Sequence, residues 1–272
     1  MSGCLESGDL VLDLNKMYNE DCLEGMKKIP DGTVDMILCD LPFGSTHAAW
    51  DKRIPFEPLW KQYKRITKKN AAIVLFSQMP FGAELIMSNR KMFRYEWIWQ
   101  KSTVCGFLNA KKMPMRVHEN ILVFYENLPT YNPQKWQGKA YFKWHLLKNS
   151  TSVYNLKKDV YTDNKDGLRY PLDVIEYKTP NAGGIGDKSH PTQKPVDLLE
   201  YLIKTYTNEG ELVLDNCIGS GSTAVAAINT NRNFIGFETD THYCEIANKR
   251  IAEAFEVRDK VLTEQNLFEA VV

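Results

Sequence analysis

The chain has 272 residues, enough for one large α/β domain or one domain with a sizeable insertion, and a 43% apolar fraction suits a globular core. Lys and Arg number 34, as do Asp and Glu, so the net charge is zero and a strongly basic nucleic-acid binder is excluded at the level of the whole chain. Six cysteines (4, 22, 39, 105, 217 and 244) lie scattered with no CxxC pair, which argues against a metal site or a disulfide framework, and no apolar run approaches the length that spans a bilayer.

In chain order, Val34–Cys39 is continuously apolar apart from Asp35 and is bounded by turn residues, which predicts a buried strand. It ends abruptly in Asp40-Leu41-Pro42-Phe43. Pro58–Lys69 reads as a helix, Ala71–Phe76 as a second buried strand, Phe81–Arg90 as a helix, and Tyr95–Trp99 and Asn120–Tyr125 as further strands. From Lys91 to Lys158 there are 12 Lys/Arg against 3 acidic residues, with 13 aromatics interleaved, a local pattern that suits phosphate contacts and base stacking despite the neutral total. Residues 128–186 break the rhythm: they are rich in Tyr, Lys, Asn and Pro, and too long for a simple loop. We read Leu128–Gly186 as an insertion into a catalytic domain made of residues 1–127 and 187–272.

Lys194–Thr207 predicts an amphipathic helix, with Val196, Leu199, Leu202 and Ile203 on one face and Pro195 in its first turn. Leu212–Asp215 is a short strand, Gly219-Ser220-Gly221 a turn, and Ser222–Asn229 a helix. Phe234–Phe237 is another strand, ending in Glu238, and His242–Val257 a closing helix. Strands alternating with helices predict an α/β fold built on a doubly wound, mainly parallel sheet.

Two segments carry chemistry. Glycines after a strand allow a tight turn and close approach to a ligand, and the helix that follows favours negative charge at its start. Glu238, about twenty residues on, suits ribose hydroxyls, although an acid there also caps a helix. That pair alone does not separate a nicotinamide cofactor from S-adenosylmethionine. The Asp40–Phe43 segment does. The amino group of adenine or cytosine is a poor nucleophile because its lone pair is delocalised into the ring. Two acceptors placed on its hydrogens, the Asp40 carboxylate and the Leu41 carbonyl, favour a localised lone pair. Pro42 restrains Leu41, and Phe43 can stack on the base. The plainer alternative is a strand-end turn with Phe43 in the core.

On these residues the chain resembles the amino-group DNA methyltransferases that act on adenine N6 or cytosine N4. Asp40-Leu41-Pro42-Phe43 matches the catalytic signature (Asp/Asn/Ser)-Pro-Pro-(Tyr/Phe) at three of four places, with Leu41 where Pro is usual. Asp215-Asn216-Cys217-Ile218-Gly219-Ser220-Gly221 resembles the Asp-Pro-Phe-x-Gly-Ser-Gly cofactor loop, with Cys217 in place of the aromatic. His190-Pro191-Thr192-Gln193-Lys194-Pro195 is similar to the family's approach to the amino-acid end of the cofactor, and Asn19-Glu20-Asp21-Cys22-Leu23 to its adenine side. Catalytic segment first and glycine loop last is the order of the β group.

The resemblance implies a Rossmann-like class I methyltransferase fold, S-adenosylmethionine as cofactor and no metal. It implies a cofactor site drawn from Asp21, Cys22, Asp40, Thr192, Lys194, Asp215, Cys217, Gly219, Ser220, Gly221, Ser222 and Glu238. It also makes the insertion a target-recognition region and double-stranded DNA the substrate, with the base turned out of the helix. A homodimer and a cognate restriction endonuclease fit as partners. The absence of a signal-peptide pattern at the N-terminus and the dispersed cysteines suit the cytoplasm of a bacterial or phage-infected cell. Thr46, His47 and Trp50 are candidates for a lid over the base, with Trp50 equally at home in a core, and His118 reads as a structural histidine near the pocket. Asp40 favours adenine N6 over cytosine N4, where Ser is commoner. A nicotinamide-dependent oxidoreductase leaves Asp40–Phe43 and His190–Pro195 unexplained, and a DNA-binding protein with a decayed site conflicts with intact Asp40, Pro42, Phe43 and Gly221.

Overall fold

The periodic segments form β1 (Lys16–Asn19), α1 (Cys22–Met26), β2 (Val34–Cys39), α2 (Phe56–Ile66), β3 (Thr67–Ser77), α3 (Phe81–Ser88), β4 (Phe93–Cys105) and β5 (Arg116–Phe124). After these come β6 (Trp136–Gln137), β7 (Tyr141–His145), β8 (Val160–Asn164), β9 (Leu168–Arg169), β10 (Val174–Tyr177), α4 (Val196–Tyr206), β11 (Leu212–Asp215), α5 (Ser222–Asn229), β12 (Asn233–Glu238) and α6 (Thr241–Glu269). The computed structural model describes residues 12–44, 51–145, 160–180 and 193–269.

Among the described residues, eight strands form the main sheet in the order β1-β12-β11-β2-β3-β5-β4-β10. All its pairings are parallel except those of β5, which runs opposite to β3 and β4. Alternate side chains of each strand leave the sheet on opposite faces. On β3, Ala72, Val74 and Phe76 enter one core, with α4, α5 and α6; Ile73 and Leu75 enter the other, with α1, α2 and α3. Helices on both faces explain why β2 and β11 are buried throughout rather than on alternate residues.

Asp35 is the exception within β2. Its Oδ2 accepts a hydrogen bond from the Leu212 amide (3.0 Å) and its Oδ1 pairs with Lys68 Nζ (2.6 Å), so the buried carboxylate stitches three strands together. Gly236 on β12 meets a similar local demand: a Cβ there would lie 2.3 Å from Ile218 Cδ1.

β2 and β11 are neighbours at the centre of the sheet, but the chain leaves them towards opposite faces, to α2 and α5 respectively. Between their carboxyl ends the layers diverge and leave a crevice, the place where open α/β sheets bind ligands.

The chain divides into two compact units, residues 1–132 with 173–272, and Pro133–Leu172. The second holds two small antiparallel ribbons, β6 with β9 and β7 with β8. Arg169 braces it, donating to Asn164 Oδ1 (2.8 Å) and stacking over the Tyr141 ring at 4.3 Å. The sequence reading began the insertion at Leu128 and ended it at Gly186; within that range Val174–Tyr177 instead extends the main sheet beside β4. No described helix is long and apolar enough to cross a membrane.

Candidate active site

A cavity of about 860 Å³ opens at this crevice, a volume ordinary for a cofactor site. Asp40, Leu41, Pro42 and Phe43 line it from the end of β2. Asp215, Cys217, Gly219, Ser220 and Ser222 line it from the end of β11, and Asp21, Cys22, Lys194 and Glu238 complete the set of sequence-selected residues on its wall. Gly221 lies just behind the wall. It starts α5 at φ +82°, and a Cβ there would sit 3.0 Å from Ala247 Cβ. Thr192 and the candidate lid residues Thr46, His47 and Trp50 lie outside the described residues. His118 is exposed on β5 opposite Gln100 and takes no part in the wall.

The turn after β11 is held by its own polar groups. Asp215 accepts from the Thr223 hydroxyl (2.6 Å) and the Cys217 amide (3.0 Å). Burial nevertheless pushes the Asp215 carboxyl up to about 6, against the pull of those donors. Arg250 donates to the Ser220 carbonyl (2.6 Å) and to the hydroxyls of Ser220 and Ser222. Glu238 accepts from the amides of Gly219 (3.0 Å), Thr239 and Asp240 (both 2.8 Å). It therefore both caps the following turn and presents a carboxylate to the cavity. Asp21 likewise caps α1 through Oδ1, which accepts from the Leu23 and Glu24 amides. Where an aromatic was expected, Cys217 stands beside Asn216, whose Nδ2 also faces Cys22 Sγ, and burial pushes the nearby Cys39 thiol up to about 12.

The catalytic segment sits in a chain of alternating charges. Lys194 Nζ pairs with Asp40 Oδ2 and lies 3.4 Å from Glu119 Oε2, and Lys101 pairs with the other Glu119 oxygen. Gln78 donates to Glu119 (3.2 Å) and itself accepts from Arg116 (2.8 Å). Burial raises the Asp40 carboxyl, Lys194 opposes that rise and Glu119 adds to it. Burial also presses on Glu119, but the two ammonium groups outweigh it and hold Glu119 below the usual range. Lys194 is held above its usual value because Asp40 and Glu119 outweigh its burial.

Among the described residues, Asp40 Oδ1 is buried without a hydrogen-bond partner, and Glu119 Oε2 has the ion pair with Lys194 at 3.4 Å but no hydrogen bond. An acceptor left this way is costly unless a ligand completes it. Phe43 is half-buried, its ring 5.0 Å from that of Phe81, while its carbonyl accepts from Arg53 Nε (2.6 Å) and Asp51 accepts from the Gly44 amide (2.7 Å). Both ends of the 44–51 segment are thereby pinned.

Lys101, Glu119, Gln78 and Thr223 belong to the wall but were not selected from the sequence. Thr223 had a signal in its place two residues after Gly221. Glu119 had only the polar run His118-Glu119-Asn120 before an apolar strand, and its partners lie 18 and 75 residues away.

A doubly wound sheet with a cofactor-sized cavity between a glycine turn and a carboxylate-ended strand defines a class I methyltransferase. The model of the DNA methylase family matches residues 34–249, and the chain belongs to that family, whose members are enzymes that use S-adenosylmethionine to methylate DNA. M.BglII, a type II methyltransferase of Bacillus subtilis, is 30% identical over 263 residues, covering 86% of this chain and 68% of the relative. The DNA adenine methyltransferase YhdJ of Escherichia coli strain K12 is 28% identical over 257 residues, covering 85% and 80%. The solved structure of the PvuII DNA methyltransferase, cytosine-N4-specific, shares the fold with a TM-score of 0.63 at 15% identity, covering 91% of this chain and 92% of that one. Family membership sets aside the nicotinamide reading of the Gly219/Glu238 pair.

The donor set fits the cofactor: a cationic Lys194 suits a carboxylate, Glu238 and Asp21 suit hydroxyls, and Cys22, Cys217 and Ile218 offer an apolar wall.

Proposed function

We propose that the chain is a site-specific DNA methyltransferase acting on the exocyclic N6 of adenine in double-stranded DNA. The observation that carries this reading is Asp40. One of its oxygens is paired with Lys194 and the other is buried with no hydrogen-bond partner among the described residues, on the wall shared with the Asp215–Ser222 turn. Asp40 Oδ1 and the Leu41 carbonyl accept the two hydrogens of the base amino group, which localises the nitrogen lone pair as it begins to attack. Pro42 limits where that carbonyl points, and Phe43, steadied by Phe81, offers a face to the extruded base. When bound, the cofactor supplies a methyl group activated by a positively charged sulfur. Glu238 would hold its ribose hydroxyls, and Asp21 and Cys22 would lie on its adenine side, with Cys217 towards its methionine part. Gly219, Ser220 and Ser222 would face it from the turn and Lys194 its amino-acid end, a role the sequence resemblance also gives to Thr192. Asp40, its carboxyl raised by burial, can hold the proton that the methylated nitrogen sheds.

The same reading makes residues 128–186, with the Pro133–Leu172 unit at their centre, the target-recognition region. Support comes from that unit's exposed Trp136, Phe142 and Tyr170 and its run of Lys135, Lys139 and Lys143. The reading extends to a homodimer, to a cognate endonuclease of the kind a type II enzyme such as M.BglII implies, and to the bacterial cytoplasm.

Adenine is favoured by Asp40 and by the relative YhdJ; cytosine N4 is the second reading, favoured by the PvuII neighbour. Purified protein given labelled S-adenosylmethionine and unmethylated duplex DNA, followed by nucleoside analysis, decides between them. N6-methyladenine is expected. N4-methylcytosine moves the target to the second base, and the absence of both refutes the reading.

A further inference from the structure

β4 and β5 continue past the sheet as a hairpin whose last register pair is Cys105 with Arg116. Its tip carries the two most exposed large hydrophobic side chains among the described residues: Leu108 is 95% exposed and Phe107 79%, with Met113 at 58% beside them. The tip is built rather than loose. Gly106 takes φ +89°, a short 3-10 turn spans Phe107–Asn109, and the amides of Asn109, Lys112 and Met113 bond back to Gly106 and Asn109 carbonyls at 2.8–3.0 Å. A folded turn that holds a Leu and a Phe in water gains nothing for the fold itself.

Two further facts say what the tip meets. Residues 101–118 carry Lys101, Lys111, Lys112 and Arg116 and no acid. The base of the hairpin, through Lys101, Cys105, Arg116 and Glu119, lines the same cavity as Asp40. The hairpin therefore runs from the wall of the cavity that takes the base out to an apolar tip whose sequence neighbours are cationic. Extruding a base leaves a gap in the stack, and apolar wedges between base steps are a known way to hold such a distortion.

We propose that Leu108 and Phe107 enter the duplex at the position vacated by the target base, with Lys111 and Lys112 on the flanking phosphates. This rests on the DNA-methyltransferase reading and adds to it the element that keeps the base out. The wedge acts on extrusion, so its loss matters for a paired target and not for one already loosened.

The test compares wild type with Leu108→Ala and the Phe107→Ala/Leu108→Ala pair, both surface changes that leave the core intact. Methyl transfer is measured on a duplex carrying the enzyme's mapped site, and on the same duplex with a mismatch opposite the target base. The paired duplex should lose at least about 10-fold in the double variant, and the mismatched one should recover to within about 3-fold of wild type. Equal activity of wild type and variant on the paired duplex overturns the wedge while leaving the methyltransferase reading standing. An equal loss on both duplexes, with a change from dimer to monomer in sedimentation, also overturns it and assigns the tip to a second copy of the chain. A wild-type protein that methylates neither duplex removes the underlying reading itself.

Discussion

Asp40 and Glu119 are two acids a single lysine apart, and their fates are linked through Lys194. Glu119 adds to the rise in the Asp40 carboxyl, so Glu119→Gln should lower it. The acid limb of the kcat–pH profile should then move to lower pH, with the KM for cofactor little changed; an unmoved limb would remove Glu119 as a positioning residue. Asp215 gives a second charge test. Its folded value of about 6 stands above the ordinary 3.8, so the folded chain binds the extra proton between those two values. Stability from this group is present below the lower value and is lost as pH rises through the upper one. Relative to Asp215→Asn, the wild type should gain up to about 3 kcal/mol in unfolding free energy as the pH falls from about 8 to about 4. Parallel stability curves for the two proteins would contradict the buried-charge description. The sequence showed Asp40 and Asp215 because each ends an apolar run. It hid Glu119 because a charge pair between distant segments leaves no local pattern.

At the level of elements, the glycine turn before α5 tolerates little change. Gly221→Leu must hold a left-handed φ of +82° and place its side chain against Ala247. Cofactor affinity should fall at least about 10-fold, from a strain of about 1–2 kcal/mol that displaces the turn, while the chain stays folded. Titration calorimetry showing unchanged affinity would sever the turn from the cofactor. Elements whose pattern repeats were legible: Val34–Cys39, Leu212–Asp215 and Ser222–Asn229 have the bounds read from sequence. Others shifted for physical reasons. Helix α2 ends at Ile66, three residues before its expected end, because Thr67–Asn70 already belong to β3, where a register shift opposite Val34 and Met36 lets polar residues precede the apolar run. β1 and α1 were missed because four and five residues give too little periodicity. β4 runs on to Cys105 as a solvated hairpin arm, so its second half carries no apolar signature.

Over the whole molecule, a net charge of zero conceals a basic middle. If the Pro133–Leu172 unit meets the DNA backbone, removing Lys135, Lys139 and Lys143 together should weaken binding and flatten the plot of log affinity against log salt by about 1–3. An unaltered slope would place the recognition contacts elsewhere. The two units need not be equally specified by sequence. The sheet was readable because burial on both faces imposes apolar runs. The ribbons β6–β9 and β7–β8 are short and largely solvated, so only their length and composition marked them out. The central claim is that the open oxygen of Asp40 grips the amino group of a base beside the cofactor turn. The most direct test is single-turnover methyl transfer by Asp40→Ala, set beside its affinity for S-adenosylmethionine. Transfer should fall at least about 100-fold, with cofactor affinity within about 3-fold of wild type. Transfer near the wild-type rate would contradict the claim.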